Sequence, residues 1–215
     1  MRLLLGPQKF REAMDYYFET YDGQAVTIQE FVHSMETISG MDLTQFKRWY
    51  KQSGTPLLSI DLAYSEKEKT ATLKIQQTCP PTPNQPTKAP FHIPLAMGLL
   101  SESGKPLLLT LAEDSELFTE KTRVLNIKRE EETFCFKNIL EKPIPSLLRG
   151  FSAPVKVAFE YTDEELLCLF MYDSDGFSRW EAGQQFALRL IKKLIHQYQQ
   201  KAPLAIGNEL AQAFE

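Results

Sequence analysis

Apolar positions along this chain follow one period before residue 54 and another after residue 56. Phe46, Trp49 and Tyr50 fall at i, i+3 and i+4 on one helical face, with Lys47, Arg48 and Lys51 on the other. Gly54 and Pro56 then stop the helix, and Leu57 to Leu62 reads as extended. Upstream, Pro7 suits the first turn of a helix running to about residue 21, with Phe10, Met14, Tyr17, Phe18 and Tyr21 as its apolar face. Thr27 and Glu30 form a capping-box pattern for a second helix, carrying Phe31, Met35 and Ile38 and ended by Gly40. Asp42 and Gln45 repeat that pattern for the helix at the junction, so residues 1–54 are expected to hold three short helices.

From residue 57 to about 160 the period is near two. Thr70 to Gln76 alternates, Phe134 and Phe136 share a face, and Pro154 to Phe159 carries β-branched residues. Ser101 to Gly104 reads as a hairpin turn. Short strands with turns between them predict a β-sandwich over 55–160. Five prolines crowd the interval from Cys79 to Pro90, which is therefore a stiff extended loop, because proline donates nothing to a ladder. The PxxP match at Pro80 to Pro83 lacks the flanking arginine of a polyproline ligand.

Thr162 and Glu165 open a further capping box. Glu164 to Met171 fits a helix or a buried strand by period, and a helix is expected. Ser178, with Glu181 three residues on, is expected to cap a long helix whose stripe is Phe186, Ala187, Leu190, Ile191, Leu194, Ile195 and Tyr198, closed by Pro203. Asn208 begins another helical pattern. The fold class is therefore α+β: short helices, a sandwich, then the first helices of a solenoid-like domain over 161–215. Leu3 to Leu5 starts in core-like composition and Glu215 stops within a helical pattern, so a fragment of a larger protein is expected.

Composition narrows the function classes. A chain of 215 residues with 43% hydrophobic and 24% charged residues is an ordinary globular one, and its scattered bases and net charge of −4 argue against nucleic acid as partner. No apolar run reaches the roughly 20 residues that cross a bilayer. Cys79, Cys135 and Cys168 are odd in number and far apart, which fits a reducing, cytoplasmic setting better than a disulfide framework.

Candidate chemistry is sparse. His33, His92 and His196 show no HExxH spacing, which would place two imidazoles one helical turn apart on one metal. His33 lies opposite Phe31 and Met35, His92 alternates with Phe91 and Ile93 in an expected strand, and His196 sits among Lys192, Lys193 and Gln197. Cys135 and Cys168, flanked by apolar residues, read as buried thiols rather than nucleophiles. Glu130 to Glu132 lacks the pattern of a calcium loop, and Asp173 and Asp175 are expected to cap a turn. No catalytic, cofactor-binding or metal residue is assigned.

Several segments carry a resemblance in order: Tyr17 to Gly23, Glu30 to Met35, Phe46 to Pro56, Phe91 to Pro94, Phe151 to Val155 and Asp175 to Trp180. Together they resemble bacterial zinc aminopeptidases of the alanyl aminopeptidase (aminopeptidase N) family. The resemblance implies that residues 1–54 are the closing helices of a thermolysin-like catalytic domain and that 55–160 is a linking sandwich. It also implies that zinc, the HExxH glutamate, the segment holding the substrate amino group and a catalytic tyrosine all lie before Met1. Tyr16, Tyr17, Tyr21 and Tyr50 therefore take no catalytic role, and peptide substrates and zinc belong to the parent enzyme. Such a fragment would be inactive alone, its exposed helix faces prone to self-association. The alternative from another class is a stand-alone sandwich that binds proteins through the aromatic faces of residues 10–50.

Overall fold

A computed structural model describes residues 1–204. Four helices come first: α1 (Arg2–Leu5), α2 (Pro7–Tyr21), α3 (Ile28–Ser39) and α4 (Arg48–Lys51). Strands β1 (Leu57–Ser65), β2 (Thr70–Thr78), β3 (Ile93–Leu100), β4 (Arg123–Ile127), β5 (Glu131–Lys137), β6 (Ile144–Ser146) and β7 (Lys156–Ala158) follow, and helices α5 (Asp163–Tyr172) and α6 (Gly176–Gln199) complete the described chain. The predicted α+β class and element order hold, and Glu164 to Met171 is helical.

Local signals account for most element ends. Both capping boxes form, Thr27 with Glu30 and Thr162 with Glu165, each relieving helix N–H groups that water would otherwise have to serve. Gly40 closes α3 at φ +69, a conformation open to glycine without Cβ strain. Three expectations change. The turn Arg2–Leu5 adds a fourth helix to the predicted three. Asp42 accepts from the Thr44 amide but Gln45 turns away, its side chain donating to the carbonyls of Pro90 and Lys128, so no capping box forms there. The N-cap of α6 is Asp175, not Ser178, because the Asp175 carboxylate already accepts from the Ser178 amide. The helical pattern beginning at Asn208 lies outside the described residues.

Two sheets face each other, ordered β5-β2-β1-β7 and β4-β3-β6. All pairings are antiparallel except β1 with β7, where Leu57 meets Lys156. Inward residues alternate as a half-buried strand requires: Leu58 and Ile60 on β1, Ala71, Leu73 and Ile75 on β2, and Leu125 and Ile127 on β4 all enter the core. At roughly 1.5–3 kcal/mol for each large side chain taken from water, these rows dominate the stabilisation. β3 departs from alternation, for every residue from Ile93 to Leu100 is buried. Its inner face, with Leu95, Met97 and Leu99, enters the sandwich core. Leu100 joins a second cluster with Ile144, Leu166 and Leu169, so the end of this strand is covered by α5, while Arg149 lies over Gly98.

The first helices own a separate small core of Leu5, Ala13, Val32, Met35, Leu43 and Phe46, and Trp49 touches both this core and that of the sandwich.

Candidate functional site

A network of buried polar side chains lies where the sandwich meets α5 and α6. After β6 the chain turns through Leu148, Gly150 and Phe151, all at positive φ, and this tight 3-10 turn (Arg149–Phe151) sends the Arg149 side chain inward until it is only 4% exposed. Its guanidinium lies across Gly98 of β3, where even one methyl group would sit 2.2 Å from Cζ. Arg149 Nε donates to Ser146 Oγ at 2.7 Å, Nη1 to the Lys121 carbonyl at 2.6 Å and to Thr122 Oγ1 at 2.9 Å, and Nη2 to Asp173 Oδ1 at 2.9 Å. Four of five N–H groups are thereby served, which is what keeps a buried cation tolerable.

Asp173 caps the end of α5, Asp175 caps the start of α6, and both reach back to this turn. Asp173 Oδ1 also accepts from the Asp175 amide, while Asp175 Oδ1 accepts from the amides of Ser178 and Gly150. Hence one pair of aspartates closes the inter-helix corner and ties it to the sandwich. Two more contacts reinforce the joint: Tyr161 donates its hydroxyl to the Pro145 carbonyl at 2.7 Å, and the buried Cys168 thiol lies 3.6 Å from the Ser101 carbonyl. Burial raises the pKa of both the Tyr161 phenol and the Cys168 thiol. α5 and α6 approach closely at Gly183, where a Cβ would come within 2.9 Å of the Phe170 ring.

The helices before the sandwich are fastened differently. Trp49 donates its indole N–H to the His92 carbonyl at 2.9 Å and tilts against Phe91 at a centroid distance of 4.6 Å. Arg48 donates to the Pro90 carbonyl, and Gln52 exchanges two hydrogen bonds with the backbone of Ala89. Gln85 and Lys88, within the proline-rich loop, bond to Ser53. That loop is thus the docking strip for α4.

The structure keeps the three histidines apart in character. His33 is exposed on α3, with Thr37 Oγ1 3.5 Å from Nε2. His92 is buried just before β3 rather than inside it, Nε2 2.8 Å from Asn126 Oδ1. His196 is exposed in the last turn of α6. Among the described residues no three His, Cys, Asp or Glu side chains converge as metal ligands, so these residues do not fit a zinc centre. Cys79 and Cys135 are half-buried and Cys168 is buried, all as free thiols; the expectation of a buried Cys135 is only half met because it sits on the outer face of β5, near Thr72 of β2. Of Glu130 to Glu132, Glu132 is half-buried, and burial raises its carboxyl pKa. No helix among the described residues is long and apolar enough to cross a membrane.

Residues 54–160 match a family model described as a domain of unknown function (DUF3458) with an Ig-like fold, and residues 163–215 match its companion, DUF3458_C, described as ARM repeats. Aminopeptidase N of Escherichia coli is 39% identical over 211 residues, covering 98% of this chain and 24% of that protein. Aminopeptidase N of Haemophilus influenzae is 39% identical over 213 residues, again spanning 24% of its length. The chain belongs to the aminopeptidase N family. In fold it is similar to the crystal structure of Legionella pneumophila aminopeptidase A in complex with aspartic acid, with a TM-score of 0.80 and 32% identity over the whole of this chain and 22% of that one. The chain thus spans about a quarter of the length of the aminopeptidase N relatives it matches.

Among residues that hold this aminopeptidase N segment together, Arg149 was not singled out from sequence. A signal existed: an arginine after Leu147 and Leu148, in a chain whose apolar run at Ile93 to Leu100 contains a single glycine, Gly98. The sequence predicts that Asp173 and Asp175 cap a turn. Asp175 is such a cap, and Asp173 caps α5 only through its backbone, its side chain being committed to Arg149.

Proposed function

We propose that this chain is a non-catalytic, architectural segment of a zinc-dependent aminopeptidase that removes N-terminal residues from peptides in the cytoplasm. In this reading residues 1–54 finish the catalytic domain, 55–160 form the linking sandwich, and 161–215 begin the helical domain. Zinc and the groups that handle the peptide belong to other parts of the polypeptide in this reading. Membership of the family over a quarter of its length supports the same assignment.

The observation that carries the reading is the Arg149 joint. A sandwich that merely preceded a helical domain would need no buried ion pair; one that must hold that domain at a fixed angle gains from it. An arginine serving two loop groups, a strand-end serine and the inter-helix aspartate leaves the corner one orientation. The direct test is turnover of an alanyl anilide by the purified, zinc-supplemented chain. No turnover above buffer is expected, and activity that co-elutes with the chain would overturn the reading.

A further inference from the structure

A cavity of about 370 Å³ opens between the start of α6 and the segment from β7 to α5, within the size range of small-molecule sites. Its walls are largely apolar, with aliphatic side chains from Leu147 to Leu169 and four rings: Phe159 and Tyr161 stack with centroids 4.5 Å apart, and Phe151 and Phe177 line the same space. The Tyr161 hydroxyl is committed to Pro145, so its ring, not its polar tip, is what remains to face a ligand.

Polar side chains line the same space as well; Ser146 is committed to Arg149 and Gln185 to Glu181, which leaves Ser178, Glu181 and Lys156. Ser178 is 6% exposed, and its Oγ has no hydrogen-bond partner among the described residues, although a hydroxyl offers one donor and two acceptor positions. The Glu181 carboxylate accepts from Gln185 Nε2 at 3.1 Å and has no cationic partner among the described residues. Lys156, exposed at the edge of β7, likewise has no carboxylate partner among them. Three carboxylate–cation pairs are made nearby, Asp173 with Arg149, Glu165 with Lys142 and Asp163 with Arg189, and none of them uses a charge that lines the cavity. An anion and a cation without ion-pair partners among the described residues and a buried hydroxyl therefore share one apolar cavity.

We infer that this cavity is a binding site for a small zwitterion with an apolar side chain, of the class of free apolar amino acids. Glu181 takes the ammonium, Lys156 the carboxylate, Ser178 Oγ a hydrogen bond that no described protein group supplies, and the apolar walls cover the side chain. A second carboxylate on the ligand would meet the apolar wall or Glu181, so acidic amino acids are disfavoured. The inference rests on the chemistry of the cavity and stands apart from the architectural reading.

The probe is L-leucine, titrated by calorimetry into the 215-residue protein, with N-acetyl-L-leucine, L-leucinamide and L-aspartate as comparisons. Leucine is expected to saturate with a Kd on the order of 1 mM or tighter. N-Acetyl-L-leucine and L-leucinamide should each bind at least about tenfold more weakly, the loss expected when one desolvated charge pair is not made, and L-aspartate should also bind more weakly because its second carboxylate meets the apolar wall or Glu181. Glu181→Gln should then abolish the preference for leucine over its acetyl derivative, and Lys156→Met the preference over the amide. No saturation by leucine, equal affinity for leucine and both blocked forms, or preferences that survive these substitutions would each overturn the site.

Discussion

Arg149 Nη2 meets Asp173 Oδ1 at 2.9 Å with both side chains withdrawn from water, one from the turn after β6 and the other from the end of α5. Removing one member leaves a buried charge without its partner, whereas removing both replaces an ion pair by packing. Arg149→Met is therefore expected to cost about 3–5 kcal/mol in urea unfolding, and Arg149→Met with Asp173→Leu clearly less than the sum of the two single changes. Additive costs would show that the pair does not act as one.

Gly98 predicts a dependence on that same guanidinium. A Cβ there would lie 2.2 Å from Arg149 Cζ, so Gly98→Ala must displace the arginine or bend β3, at roughly 1–3 kcal/mol. In the Arg149→Met, Asp173→Leu background most of that cost should disappear. The check is the same unfolding experiment in both backgrounds.

Thr162 opens α5 with a complete capping box and three acidic residues in the first turn. Thr162→Ala removes the acceptor for the Glu165 amide and should lower stability by about 0.5–2 kcal/mol. Thr162→Ser, which keeps the oxygen, should restore most of it, as thermal melts would report.

His92 makes stability pH-dependent. Burial lowers its pKa below the free value of 6.5, outweighing the bond to Asn126, which acts the other way; nearby Lys128 adds to the lowering. The folded state thus binds the proton less well than the unfolded state. Its contribution is complete above the unfolded pKa and is lost as pH falls below about 6.5. Wild type should lose more stability between pH 7.5 and 5.5 than His92→Gln, by melts at both values, and parallel losses would remove His92 as the cause.

Where the deciding forces were local, the sequence was enough to read the element. Thr27 with Glu30, Thr162 with Glu165, and Gly40 each act within four residues, and each capped the helix expected of it. Tertiary partners defeated the same logic elsewhere: Gln45 had a cap available and was drawn to carbonyls 45 and 83 residues further on. Ser178 lost its cap to Asp175, three residues nearer the N-terminus, because Asp175 serves Gly150 as well. The cavity was illegible for a similar reason, since Lys156, Tyr161 and Ser178 come together only when α6 folds back on the strand edge.

The central claim is that α5 and α6 are locked to the sandwich through Arg149, and amide hydrogen exchange of residues 163–186 tests it most directly. In the wild-type chain these amides should exchange as slowly as those of β2 and β3. In Arg149→Met they should exchange at least about tenfold faster than the strand amides of the same variant, because the helices then open without the strands. Equal protection of the two helices in both proteins would contradict the account.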